Sequence, residues 1–244
     1  MFPLKDNIPT DRFPVVTVAL IAANVLMYFL FQHGTIPYEI THPGKECDLV
    51  DSVGGSQLIC EGQKGVTGDA ESQAPTYLTL FTSMFMHGSI LHLGGNMLFL
   101  WIFGNNVEDS MGRVRFLVFY VLGGLAADAG QILVDPSAAV PTIGASGAVA
   151  AVLGGYLLLF PRARVVTVIF IIIFFTVIEL PALVILGFWF LQQVLFGAYD
   201  LTNPTGGGGG VAYFAHIGGF AFGLLLIKAF AQRQKEVPPR IPVY

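Results

Sequence analysis

An all-α polytopic membrane protein, with six transmembrane helices and a long outer loop after the first, is the fold class that this 244-residue sequence predicts. Three observations predict it. Hydrophobic residues make up 54% of the chain, charged residues only 11%, and the mean hydropathy is +0.70, a balance that leaves too little polar surface for a soluble globule. Apolar stretches recur at the length of roughly 20 residues that a helix needs to cross about 30 Å of hydrocarbon. The basic residues are distributed on one side of these stretches. The net charge of −4 and the absence of a basic cluster or zinc-ligand spacing argue against nucleic acid as a partner.

The spans fall near residues 15–32, 90–105, 114–134, 144–160, 182–198 and 210–230. The first lacks a small-residue cleavage site after its apolar core and reads as an uncleaved signal anchor. Between the first two lies the loop 33–76, with seven acidic residues. The fourth span ends before Pro161-Arg162. The stretch Val165–Ile178 that follows is apolar for only fourteen residues and stops at Glu179-Leu180-Pro181, so it reads as an interfacial or re-entrant segment and not as a span. Gly206–Gly210 reads as a flexible outer connection to the sixth helix. The whole chain is expected to form one membrane domain, with 33–76 as an extracytoplasmic insertion and 231–244 as a cytoplasmic tail.

With this count, ten of the twelve Lys and Arg share one side: Lys5, Arg12, Arg113, Arg115, Arg162, Arg164, Lys228, Arg233, Lys235 and Arg240. Positive charge marks the cytoplasmic side, so both termini are expected there, in a multi-pass protein of the cell membrane. The other two, Lys45 and Lys64, fall in the acidic outer loop. Cys47 and Cys60 lie in the same loop, where the compartment permits a disulfide. A metal site built from them with His33 or His42 has irregular spacing, and neither metal nor organic cofactor is expected.

Ser146 and His216 are the residues most suggestive of chemistry. If the fourth helix begins at Ser146 and ends at Phe160, it is about 22 Å long at roughly 1.5 Å per residue, nearly 10 Å short of the bilayer. Ser146 is then recessed, and Pro141–Ala145 must descend to it as non-helical backbone, which is tolerated only inside protein or along a wet cavity. Counting inward from residue 210 puts His216 roughly 9 Å deep, level with Ser146. Treating Val165–Ile178 as a seventh span would put His216 at the wrong end of its helix. Gly147, Ala151 and Gly155 on one helix, and Ala215, Gly219 and Gly223 on the other, form small-residue stripes that let the two approach closely. Contact there would set a nucleophile beside a base.

A glycine-flanked serine alone is a weak signal, since serine is a common helix cap and small-residue stripes occur in any membrane bundle. An ionisable residue inside the membrane is costly and more often functional. His92 and Asn96, four residues apart on the second helix, share a face and are candidate hydrogen-bond donors to an oxyanion. Asp128 on the third helix lies at a depth that would let it join His92, Asn96 or His216, or else face the headgroups.

Four spaced motifs then carry a resemblance to the rhomboid intramembrane serine proteases: His92-x-x-x-Asn96, Gly104-x-x-x-Glu108-x-x-x-Gly112, Gly144-x-Ser146-Gly147, and Ala215-His216-x-x-Gly219-x-x-x-Gly223. The match covers residues 77–230 in order. The resemblance implies a six-helix core and a Ser146–His216 catalytic dyad without a carboxylate third member. It further implies an oxyanion hole from the Ser146 amide with His92 and Asn96, and cleavage of transmembrane protein substrates near their outer ends. Gly144, Gly147, Gly219 and Gly223 would permit close packing, and Glu108 with Arg113 or nearby backbone would order the inner loop. Where some relatives stack an aromatic residue on the imidazole one turn after the serine, this chain has Ala150. A catalytically inactive helix-binding relative lacks a reason to keep both Ser146 and His216, and a transporter would want a polar path through the whole membrane. Helix five is the expected lateral gate, because Pro181 interrupts its approach and Ile185–Phe190 is bulky around a single Gly187; Phe188 and Trp189 are expected to pack it shut.

Overall fold

The computed structural model describes residues 2–32, 47–52, 55–60, 76–134, 142–171, 174–202, 211–233 and 235. Most of the loop 33–76, Pro141, Gly206–Gly210 and Arg240 lie outside these residues, as do His33, His42, Lys45 and Lys64. In chain order the elements are β1 (Phe2–Asp6), α1 (Val15–Leu26, continued by a wide turn over Met27–Gln32), β2 (Cys47–Ser52), β3 (Gly55–Cys60) and α2 (Thr76–Thr82). Next come α3 (Ile90–Phe99, continued by a wide turn over Leu100–Gly104), α4 (Asn105–Met111) and α5 (Arg113–Val134). The chain ends with α6 (Ser146–Leu159), β4 (Arg164–Ile171), β5 (Phe174–Pro181), α7 (Ala182–Thr202) and α8 (Tyr213–Phe230).

Three of these helices, α5, α7 and α8, are long and apolar enough to cross a membrane. α1 and α6 are apolar but shorter. The fourteen residues of α6 span about 21 Å, and it begins at Ser146. α6 is the centre of the molecule: every residue from Gly147 to Tyr156 is buried, and α5, α7 and α8 pack around it. Glycine makes this possible. A Cβ on Gly154 would strike the carbonyl of Phe220 on α8, and one on Gly123 of α5 would strike the Cβ of Ala151. Small residues at such contacts let membrane helices gain dispersion energy along their whole length.

The expectation of an all-α protein is corrected by two small antiparallel sheets. β4 is the middle strand of a sheet ordered β1-β4-β5, with Phe2 opposite Val168 and Val166 opposite Glu179. The segment read as interfacial or re-entrant is therefore a hairpin. Its β-branched run Val165-Val166-Thr167-Val168-Ile169 favours extended backbone, β5 pairs with one edge of β4, and the N-terminal strand pairs with the other. β2 and β3 form a second hairpin whose register sets Cys47 opposite Cys60; the side chains of both lie outside the described residues.

One end of the bundle is tied together by polar contacts. Asp6 Oδ2 accepts from Tyr156 Oη at 2.6 Å and from Asn106 Nδ2 at 2.7 Å, joining β1, α4 and the end of α6 remote from Ser146. Burial raises the Asp6 carboxyl above its ordinary range, despite these donors. Glu108 accepts from the Val16 amide at 3.0 Å and from the Thr17 amide and hydroxyl at 2.7 Å each, capping the first turn of α1. The loop-ordering partner of Glu108 is thus backbone, and Arg113 is exposed. Gly112 ends α4 with φ +83°, a conformation that glycine adopts without a Cβ penalty. Lys235 pairs with Asp109 and lies 3.7 Å from Asp11, and the amides of Gln232 and Arg233 donate to the Ser110 carbonyl. The chain segments before α1 and after α8 therefore meet at one end of the molecule, the end that holds Arg12, Arg113 and Arg233.

Candidate active site

At the opposite end of α6 the backbone turns into the helix through Gly144 and Ala145. Gly144 has φ +120°, and a Cβ there would sit 2.8 Å from the His92 ring, so only glycine satisfies both the backbone and the close approach. The turn presents Ser146 as the first residue of α6. His216, one turn into α8, reaches it: Nε2 lies 2.8 Å from Ser146 Oγ. The close contact depends on Gly219, whose Cβ would strike the Gly147 carbonyl, and on Gly223, whose Cβ would strike the Ala151 carbonyl. Gly147 in turn faces Ala127 of α5. Backbone lies against backbone here, which fixes the spacing of the two helices to within a fraction of an ångström.

His92 and Asn96 come from α3 to the other side of Gly144. A Cβ on Gly144 would lie 3.7 Å from Asn96 Nδ2, and this amide nitrogen is buried with no hydrogen-bond partner among the described residues. Buried donors of this kind are rare and call for an acceptor that arrives later. The α3 helix starts cleanly because the Ser89 hydroxyl caps it, accepting from the His92 amide at 3.1 Å.

The cavity between these elements has a volume of about 580 Å³ and is lined by Ser146, His216, His92, Asn96, Asp128 and Trp189 among others. Asp128 borders it, but its Oδ2 is buried and hydrogen-bonds to none of the described residues; of the two alternatives for this carboxyl, the contact with His92, Asn96 or His216 is not formed. Among the described residues no group of three His, Cys, Asp or Glu is placed to hold a metal ion.

Three residues at the site carry no role in the sequence reading or a different one. His87 is fully buried, packs edge-to-face on His92 with ring centroids 5.1 Å apart, and its Nε2 accepts from the Ala145 amide at 3.5 Å. Burial, with a smaller contribution from His92, pushes its pKa down to about 4, so the ring is neutral and has a lone pair to offer. Its sequence signal was an ionisable side chain at the mouth of an apolar span. Gln193 on α7 is buried, with Oε1 2.7 Å from His216 Nδ1. An amide inside an apolar helix was the available clue. Trp189, one turn earlier, lies against the His216 ring at a centroid distance of 5.7 Å and a tilt of 38°. This contact adds to the expected packing role of Trp189 a place beside the imidazole. It also answers the question raised by Ala150, which is fully buried in the core of α6: the aromatic neighbour of the imidazole comes from α7. Phe188 is 45% exposed and lies outside the buried core.

The sequence matches the Rhomboid domain family over residues 74–233. It is 30% identical over 154 residues to the mitochondrial Rhomboid protein 1 of Saccharomyces cerevisiae, 30% over 146 residues to Rhomboid protease GluP of Bacillus subtilis, and 30% over 160 residues to the mitochondrial RHOMBOID-like protein 12 of Arabidopsis thaliana. These alignments cover 61%, 59% and 59% of the chain, and 40%, 24% and 43% of the three relatives. The chain thus spans less than half the length of each relative. The match covers the helices that carry Ser146, His216, His92 and Asn96, and the chain is a membrane protein of the rhomboid family.

Proposed function

We propose that this chain is an intramembrane serine endopeptidase that cleaves transmembrane protein substrates near their outer ends with a Ser146–His216 dyad. The observation that carries the reading is the 2.8 Å contact between His216 Nε2 and Ser146 Oγ at the wall of a cavity also lined by Asn96, whose buried Nδ2 has no partner among the described residues. The neutral imidazole accepts the Ser146 hydroxyl proton at Nε2 as Oγ attacks the scissile carbonyl. The oxyanion that forms is held by the Ser146 backbone N–H, by Asn96 Nδ2 and by His92. The buried amide of Asn96 gains its first partner only when that charge arrives, so its energy is released in the transition state and not in the ground state. The imidazolium then returns its proton to the leaving amine, and water entering from the cavity hydrolyses the acyl-enzyme.

The orientation follows from charge. Among the described residues, Arg233 and Lys235 meet Asp11 and Asp109 at the end remote from Ser146, which supports a reading with both termini facing the cytoplasm of a cell membrane and the cavity opening to the outer side. A membrane-embedded substrate enters sideways between α3 and α7, whose side chains Leu91, Phe99 and Trp189 border the cavity. Covalent labelling with a fluorophosphonate probe tests the reading: wild type reacts and Ser146→Ala does not. Equal labelling of the two proteins, or none of wild type, would remove the proposal and leave a helix-binding role without catalysis.

A further inference from the structure

We infer that Gln193 and Trp189 on α7 together hold the His216 imidazole in its reactive orientation, so that the base is positioned only while α7 is seated against α8. The inference rests on the Ser146–His216 reading. His216 Nε2 faces Ser146 Oγ at 2.8 Å, and Nδ1 faces Gln193 Oε1 at 2.7 Å. The amide of Gln193 has its own orientation fixed, because Nε2 donates to the Trp189 carbonyl one turn back at 3.3 Å. That leaves the carbonyl oxygen toward the ring. A carbonyl oxygen only accepts, so the imidazole proton sits on Nδ1 and the lone pair on Nε2, the tautomer that takes a proton from Ser146.

The ring face is held as well as its edge. Trp189 covers it at 5.7 Å and is itself backed by Phe220, and Phe190 stacks on Phe220 at 4.4 Å. Two residues one helical turn apart thus fix the plane, the rotation and the tautomer of one imidazole. In serine hydrolases with a triad a carboxylate performs the edge contact. Here a neutral amide performs it, which orients the ring without placing a second charge in a dry site. Gln193 and Trp189 are positioning residues: neither is required to touch the substrate. Because both lie on α7, a displacement of that helix that widens the lateral opening also releases the base.

The test is the turnover of Gln193→Leu and Gln193→Glu, measured on a transmembrane substrate and on a short soluble peptide substrate in detergent. Leu matches the shape in an apolar setting and lacks the acceptor; Glu keeps the acceptor and suits an apolar setting worse. Holding the base contributes to kcat, and loss of its alignment by about 1 Å costs about two orders of magnitude. We expect Gln193→Leu to lower kcat about 100-fold on both substrates with KM within about twofold, and Gln193→Glu to be at least tenfold faster than Leu. Should the Leu variant not fold, Gln193→Met gives the same comparison. A Leu or Met variant as fast as Glu assigns Gln193 to packing and overturns the inference. The dyad stands apart: inactivity of Ser146→Ala beside full activity of Gln193→Leu refutes only the positioning role, and an active Ser146→Ala refutes the dyad.

Discussion

The amide nitrogen of Asn96 is a buried donor at this site with no partner among the described residues, and its use is therefore the sharpest expectation for a single side chain. On the proposed mechanism Asn96→Ala removes a donor that only the oxyanion would engage, so kcat should fall by about 10²-fold while KM stays near wild type, with His92→Ala showing the same pattern. Steady-state kinetics separate this from a packing role, in which KM would change alone. His87 gives a second expectation. Its folded pKa of about 4 lies below its ordinary 6.5, so the unfolded chain binds a proton that the folded chain refuses. The stability this neutral ring contributes is full above pH 6.5 and is lost as pH falls from 6.5 toward 4. Thermal unfolding in detergent should show a steeper decline across that window for wild type than for His87→Gln; parallel declines would show that His87 is not held neutral. The residue scale also shows where sequence reading reaches its limit. Ser146, His216, His92 and Asn96 sit in spaced motifs with a depth that counting along helices supplies. Gln193 does not, because its significance is a distance to a residue 23 positions away across an interface, and Trp189 looked like any bulky side chain on a lipid-facing helix.

Elements set the distances that the residues use. The α6–α8 contact is backbone on backbone at Gly219 and Gly223, so Gly219→Val must push the helices apart at the level of the dyad. Activity should drop by about two orders of magnitude, since even about 1 Å of misplacement has that effect; unchanged turnover would contradict the packing account. The lateral entry between α3 and α7 makes a prediction of a different kind. In a Cys47→Ser, Cys60→Ser background, a bifunctional thiol reagent joining Leu91→Cys on α3 to Phe188→Cys on α7 should suppress cleavage of an intact transmembrane substrate at least tenfold and spare a short soluble peptide. Undiminished cleavage of the intact substrate would direct attention to the segment 33–76 as the entry. At this scale the sequence was informative where one period sufficed. The start of α6 at Ser146 followed from its glycine-serine run and from the proline that closes it. The β4–β5 hairpin did not, because a short apolar run is ambiguous between helix and strand, and the docking of residues 2–6 on β4 is a contact across more than 150 positions that no local pattern announces.

For the whole molecule, the polar work is divided between the two ends of α6. One end is a clamp in which Asp6, Asn106 and Tyr156 fasten the sheet, Glu108 caps α1, and Lys235 with Asp109 fastens the chain after α8. The other end is a cavity whose lining includes two buried polar atoms, Asn96 Nδ2 and Asp128 Oδ2, with no hydrogen-bond partner among the described residues. Between the two ends lies a core of close glycine contacts. Composition, the count of apolar stretches and the bias of basic residues made the membrane class and the shared end of the termini legible before any coordinates. The division of labour was not, because it depends on which polar residues face each other in the fold. The most direct test of the central claim is the cleavage of a transmembrane substrate by purified wild type and Ser146→Ala, with the cut site mapped by mass spectrometry. The account predicts a single cut near the outer end of the substrate helix by wild type and a loss of at least 10³-fold in Ser146→Ala, about 4 kcal/mol of transition-state stabilisation; cleavage by Ser146→Ala within about tenfold of wild type would contradict it.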